Sequence, residues 1–219
     1  MKRDSALDAV ALVVLAAGGS RRLGAPKQLV RWRGRTLLRR AVETALACVH
    51  HRGADAGRAA HAARAAPVAL GPVVVVLGAD ARSMRAELDG LPVHVTVNRR
   101  WRDGIASSLR AGLRAALAAS GRGGPAAVLF LTCDQPFVTP SLLRRLVQQF
   151  RRGAPIVACA YAGTLGVPAL FGRTYLREIL SLKGDTGAKR ILARHRVAVA
   201  PVRFARGATD VDRPGDQGT

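Results

Sequence analysis

Aromatic residues, lysine and cysteine are all scarce in this chain, and each shortage removes a class of function. Aromatics are 4% of the residues, so the core must be aliphatic and no platform for stacking successive bases is encoded. The three cysteines, Cys48, Cys133 and Cys159, lie far apart and are odd in number. They form neither a disulfide framework nor a zinc pattern, which fits a reducing, cytoplasmic setting. Cys133 reads as a small packing residue. Long apolar runs are missing as well. The run at residues 9–17 is approached through Asp4 and Asp8 and is too short to cross a bilayer, so a buried first strand is expected there, not a leader or membrane anchor.

Acids are scarce too: 14 against 35 cations, a formal charge of +21. Such an excess ordinarily suggests nucleic acid. Yet only four of the 35 cations are lysines and the arginines are scattered along the whole chain, as a coding bias would leave them. No signature of a groove-reading helix accompanies them. An anionic small substrate such as a polyphosphate uses the charge more economically; a nucleic-acid-binding protein is the weaker alternative.

What is present is a chain of 219 residues, 49% hydrophobic, which suffices for one domain with a substantial core. Apolar β-branched runs predict strands at 10–16, 72–77, 93–97, 126–131, 156–160, 167–171 and 197–202. Amphipathic stretches predict helices at 36–50, 81–88, 105–119, 140–151, 174–182 and 187–194. Thr139 or Ser141 would cap the fourth helix, with Pro140 in its first turn. The alternation implies an α/β fold with a mostly parallel sheet wrapped by helices. Residues 51–71, rich in Ala, Arg and Gly, read as a solvated insertion whose His51 and His61 are surface residues, and 214–219 as a frayed tail.

The chemistry concentrates in a few stretches. "LAAGGSRRLGAPKQL" (Leu15 to Leu29) follows the first strand with three glycines, two adjacent arginines, one lysine and no acid. In an open α/β sheet ligands gather at the carboxyl ends of strands. Glycines there let phosphate oxygens approach backbone N–H groups, Arg22 can grip phosphate through two parallel bonds, and Lys27 adds a compact mobile charge. The order is neither a Walker loop nor a dinucleotide fingerprint. A solvated Gly-rich turn is the plainer alternative. "VLFLTCDQPFVTP" places Asp134 at the carboxyl end of another buried strand. An aspartate there serves as well for a turn or cap, but the shared rim favours a metal role beside bound phosphates. "NRRWRDGIASSLRAGL" opens a helix with Ser107 and Ser108 in its first turn, where serines either cap the helix or meet a polar ligand. Trp101 reads as a surface anchor. "ATDVDRPGD" carries Asp210 and Asp212 two residues apart, able to share a cation or to form an ordinary turn.

Taken together these stretches resemble MobA-like nucleotidyltransferases. The match runs through L-A-A-G-x-x-x-R-x-G-x-x-K (Leu15, Ala16, Ala17, Gly18, with Gly19 inside it, then Arg22, Gly24 and Lys27) and "CDQP" around Asp134. It continues through N-x-x-W-x-x-G-x-x-x-S, "GTLGVP" and "GDTGAK" to the closing "DVD". The resemblance spans residues 15–216 apart from the insertion. It implies a Rossmann-like three-layer α/β/α domain with a mostly parallel mixed sheet, in which an NTP and a phosphorylated acceptor yield a nucleotide-linked product and pyrophosphate. It implies catalytic Arg22, Lys27 and Asp134, and a nucleotide site from Leu15 to Gly19 with Gly24, Gly104 and the base-contacting Ser108. Mg2+ would sit on Asp134 and Asp210, and Gly166, Lys189 and Asp212 (with Lys183 nearby) would meet the acceptor. Val167 stands where many relatives have His, and Arg213 where threonine is usual. Ala17, making A-A-G, points to CTP, and the subgroup looks most like the cytidylyltransferases of molybdopterin that serve molybdenum hydroxylases. The alternatives are a sugar- or alditol-phosphate nucleotidyltransferase, a GTP-using guanylyltransferase, or a non-catalytic cofactor-insertion chaperone.

Overall fold

The first strand sets the architecture. In the computed structural model, which describes residues 9–19, 26–50 and 70–209, β1 (Val10–Ala16) is buried at every position. It pairs in parallel with β4 (Leu70–Leu77) on one side and β6 (Ala127–Thr132) on the other. An unbroken run of Val, Leu and Ala suits a strand covered on both faces. The pleat divides it: Leu12, Val14 and Ala16 join one apolar layer, while Ala11, Val13 and Leu15 join the other.

The seven-stranded sheet has the order β5-β4-β1-β6-β8-β7-β9, with β5 at His94–Val97, β7 at Ile156–Tyr161, β8 at Thr164–Gly172 and β9 at Val199–Arg203. β8 runs antiparallel to both β6 and β7, and the other pairings are parallel. One layer against the sheet contains α1 (Leu37–His50), α2 (Ala81–Ala86) and α4 (Pro140–Arg151), through residues such as Leu38, Met84 and Leu143. The opposite layer contains α3 (Ile105–Ala119), α5 (Leu176–Ser181) and α6 (Ala188–Arg194). α3 lies especially close: a Cβ at Gly112 would stand 2.5 Å from Val13 Cγ1 and 2.8 Å from Val76 Cγ2. The expected three-layer α/β/α arrangement with a mostly parallel mixed sheet is the one observed.

Local chemistry explains the boundaries. α4 starts where Thr139 accepts a hydrogen bond from Leu142 N at 3.2 Å, with Pro140 in the first turn, so Thr139 and not Ser141 is the cap. Of the insertion expected at residues 51–71, residues 51–69 with His51 and His61 lie outside the described residues, as does the expected tail at 214–219, while Leu70 and Gly71 belong to β4. β4 already begins at Leu70, paired with Val10, and the register then slips before Leu12 meets Val73. That bulge takes up Gly71 and Pro72, the latter having no N–H to give a regular ladder. A short hairpin that the apolar pattern did not signal, β2 (Arg31–Trp32) and β3 (Arg35–Thr36), leads into α1.

The carboxyl ends of β5, β4, β1 and β6 lie on one edge of the sheet. From β1 the chain passes to β4 on one side, and β6 lies on the other. A crevice opens where such connections diverge.

Candidate active site

A cavity of about 510 Å3 occupies that crevice. Its floor is the end of β1 and the following turn, Leu15, Ala16, Ala17, Gly18 and Gly19. Lys27 enters from the single 3-10 turn that follows (Lys27–Leu29), and Asp134 from the loop after β6. Lys27 Nζ and Asp134 Oδ2 are 3.2 Å apart, with the side chains 16% and 30% exposed. The two charges face each other across the cleft at a depth open to a ligand. A part-exposed pair of this kind is worth at most about 1 kcal/mol, so a ligand can displace it at small cost.

The turn after β1 is braced from beneath. Gln28, 4% exposed, donates through Nε2 to Ala16 O at 3.1 Å and to Gly18 O at 2.6 Å. Its Oε1 is buried with no hydrogen-bond partner among the described residues, and Gln28 lines the cleft. On the rim Gly19 lies under the Trp101 ring, where a Cβ would come within 2.7 Å of Cζ3. Trp101 is thus a wall of the cleft and not a surface anchor. The Arg102 guanidinium sits 4.6 Å from the Trp101 ring centroid, so a cation also borders the opening.

The far wall is the start of α3. Asn98 is 6% exposed and its Nδ2 donates to Ser107 Oγ at 2.7 Å and Ser108 Oγ at 3.0 Å. Its Oδ1 accepts from Arg100 N at 3.0 Å. Ser107 spends its proton on Arg100 O or Gly104 O, both at 2.8 Å. Ser108 accepts from Asn98 and lines the cleft, so its own O–H is the group it presents to a ligand. Gly104 also lines the cleft and has φ +90°. A Cβ there would collide with the backbone of Gly184 and with Asp185, and Gly184 O accepts from Ala106 N at 3.1 Å. Gly104 is therefore required by the "GDTGAK" turn, which it lets pack against α3, whatever it does for a base. That turn delivers Asp185 to the cleft.

Of the residues singled out in the sequence, Leu15, Ala16, Ala17, Gly18, Gly19, Lys27, Gly104, Ser108 and Asp134 all line this cavity. Arg22, Gly24, Asp210 and Asp212 lie outside the described residues. Gly166 and Lys189 are not brought to the cleft. Gly166 lies beneath Tyr161, whose Cζ would be 2.9 Å from a Cβ there, and Lys189 is exposed on α6. Gln28, Trp101, Arg102 and Asp185 join the cavity without having been singled out as ligand contacts. For Gln28 the available signal was a polar residue inside the otherwise apolar "QLV" after Lys27.

The donors suit a hard divalent cation that takes one or two carboxylates and completes its shell with substrate phosphates and water. Asp134 is a carboxylate open to the cleft, and no cluster of three or more His, Cys, Asp or Glu among the described residues forms an all-protein metal cage. Cys133 lines the cleft, and burial, then the Asp134 charge, raises its thiol pKa, which favours the neutral thiol.

The family model for the MobA-like NTP transferase domain matches residues 12–199. The chain belongs to the MobA-like NTP transferase family. Nicotine blue oxidoreductase of Paenarthrobacter nicotinovorans is 32% identical over 199 residues, covering 86% of this chain and 84% of that protein. Among solved structures, Rv0371c of Mycobacterium tuberculosis H37Rv superposes with a TM-score of 0.72 at 30% identity, covering 95% of each chain. A complex of Rv0371c with manganese gives 0.68 at 27% identity, over 93% of this chain and 92% of that one. The protein is accordingly a nucleotidyltransferase by family, and no helix among its described residues is long and apolar enough to cross a membrane.

Proposed function

We propose that the protein transfers a cytidylyl group from CTP to the phosphate of molybdopterin, releasing pyrophosphate. The observation that carries this reading is the meeting of Lys27 and Asp134, 3.2 Å apart, in the same cleft as the turn after β1 and Ser108. The reading places the triphosphate along that turn, with Arg22 and Lys27 offsetting charge on the β- and γ-phosphates. Ser108 donates its proton to an acceptor atom of the base, while Asn98 fixes the hydroxyl's direction. Asp134, with Asp210 from the closing motif, would hold Mg2+, which offsets the charge gathering on the α-phosphate when bound. Manganese bound to the related Rv0371c supports a divalent cation at this fold.

In the reaction an oxygen of the acceptor phosphate attacks the α-phosphorus in line, and the bond to the bridging oxygen of pyrophosphate breaks. The attacking phosphate is already ionised, so no general base is required. Lys27 changes partner during the cycle: it neutralises Asp134 in the empty cleft and turns to phosphate oxygens when nucleotide and cation arrive. The A-A-G of Ala17 supports CTP over GTP by resemblance to the family pattern. A cytoplasmic site of action, where NTPs are plentiful, and a molybdenum hydroxylase as client complete the reading.

The test is pyrophosphate release with purified protein, Mg2+, molybdopterin and each of the four NTPs in turn. CTP should support release; release with GTP and not CTP would reject the base assignment, and release only with a sugar or alditol phosphate would reject the acceptor. The 32% identity to a protein named nicotine blue oxidoreductase supports a second reading, a redox enzyme holding a nucleotide cofactor in the same cleft. Oxidation of a reduced nicotinamide nucleotide that persists in Asp134→Asn, without pyrophosphate release, would favour it.

A further inference from the structure

Beyond the cleft, a second cavity of about 420 Å3 lies between the β2–β3 hairpin, the start of α4 and the segment after β9. Five arginines line it: Arg33, Arg40, Arg145, Arg203 and Arg206. None of the described residues lining it is acidic. Its floor is aromatic, in a chain that is only 4% aromatic: Trp32 and Phe137 meet edge-to-face at 5.5 Å between centroids, and Phe204 lies beside them. The Arg206 guanidinium stacks on Phe137, 3.3 Å from its ring centroid, which shows how a flat group is received there. Thr139 and Ser141 add hydroxyls at the start of α4.

The positive charges in and around this pocket crowd one another. Arg40 is held below the ordinary guanidinium range by burial first, then by the like charges of Arg33 and Arg35, against which Glu43 pulls upward. Arg40 Nε also donates to Pro136 O at 3.0 Å, tying the pocket to the loop that carries Asp134. Phe137 is three residues from Asp134, so their Cα atoms are at most about 11 Å apart. The pocket and the reacting centre therefore share one short loop.

Resting on the transferase reading, we infer that this arginine-lined pocket holds the body of the acceptor, and that this body is flat, conjugated and negatively charged beyond the phosphate that reacts. A guanidinium offers both a planar face for such a ring and a fork of donors for its anionic edge. The phosphate end of the same molecule then reaches Asp134, while the nucleotide enters from the α3 side. The polyol part of a sugar or alditol phosphate brings no negative charge beyond the reacting phosphate for five guanidiniums to pair with, so such acceptors are disfavoured by the same geometry.

Pyrenetetrasulfonate, a flat conjugated polyanion without phosphate, is a direct probe. Its fluorescence anisotropy should report saturable binding that CTP does not displace. Arg145→Ala/Arg206→Ala should weaken it by about tenfold or more, the loss of two charge-assisted contacts. Arg114→Ala/Arg122→Ala, which removes the same charge from exposed positions elsewhere, should leave it within about twofold. Equal loss in both pairs, or displacement of the probe by CTP, overturns the pocket assignment. In turnover assays the Arg145/Arg206 pair should raise the KM for acceptor and leave the KM for CTP unchanged; a rise in both overturns it too. Specific probe binding without pyrophosphate release from any acceptor would leave the pocket standing as an anion site and reject its role as the acceptor's.

Discussion

The cleft proposed for the nucleotide and the arginine pocket proposed for the acceptor are built on opposite plans. On the first, the buried polar side chains are tied to backbone or to a neighbour: Gln28 holds two carbonyls of the turn after β1, and Asn98 holds both serines of α3. Gly104 is fitted against the Gly184–Asp185 backbone. On the second, the side chains are mostly exposed arginines around an aromatic floor. The ligands proposed for each account for the difference. A triphosphate has one shape and rewards donors fixed in place before it arrives. A flat anionic body is satisfied by charge and stacking, which tolerate mobile side chains.

Substitutions should break the two sides differently. Lys27→Ala removes the charge opposite Asp134 and should lower kcat/KM by about a hundredfold, measured as pyrophosphate release at saturating acceptor. Gly104→Ala forces a side chain into Gly184 and into a positive-φ conformation; it should cost about 1–3 kcal/mol of stability in denaturant melts and raise the KM for CTP.

A third outcome concerns the buried thiols. Burial pushes Cys48 up to about 11 and Cys159 up to about 12, above the ordinary value of 9.0 that the unfolded chain would show. A thiol that ionises more readily when unfolded contributes stability that is complete below pH 9.0 and is lost as pH rises toward 11 and 12. Thermal midpoints should therefore fall across that window, and Cys48→Ala/Cys159→Ala should flatten the fall. The smallest effect sharpens the comparison from the other side. Lys189, exposed on α6, should change the KM for acceptor less than about twofold when replaced by Ala; a tenfold rise would move the acceptor to α6.

Much of this was legible in the chain, for reasons that particular residues show. α3 and α4 begin where expected because Gly104 and the Thr139–Pro140 pair mark their starts. β1 was legible because a strand buried on both faces needs an unbroken apolar run. The β2–β3 hairpin was not, because its strands are two residues each and its turn uses Arg33 at φ 50° before Gly34 at φ 81°. β8 starts earlier than expected because Ala162 and Gly163, both at positive φ, form a tight turn from β7 that pairs Tyr161 with Thr164. The nucleotide wall could be read from motifs because its residues follow the strand ends in order. The arginine pocket could not, since it joins residues 32–40, 137–145 and 203–206, three stretches far apart in the chain, and nothing within any one of them points to the other two.

The central claim is that the Asp134 carboxylate, facing Lys27 across the cleft, serves the transfer itself. Asp134→Asn keeps the shape of the side chain and removes its charge. With CTP, Mg2+ and molybdopterin, pyrophosphate release should fall by about a thousandfold while the thermal midpoint of the free protein stays within a few degrees of the parent. Release by the variant at the parent's rate would contradict the account.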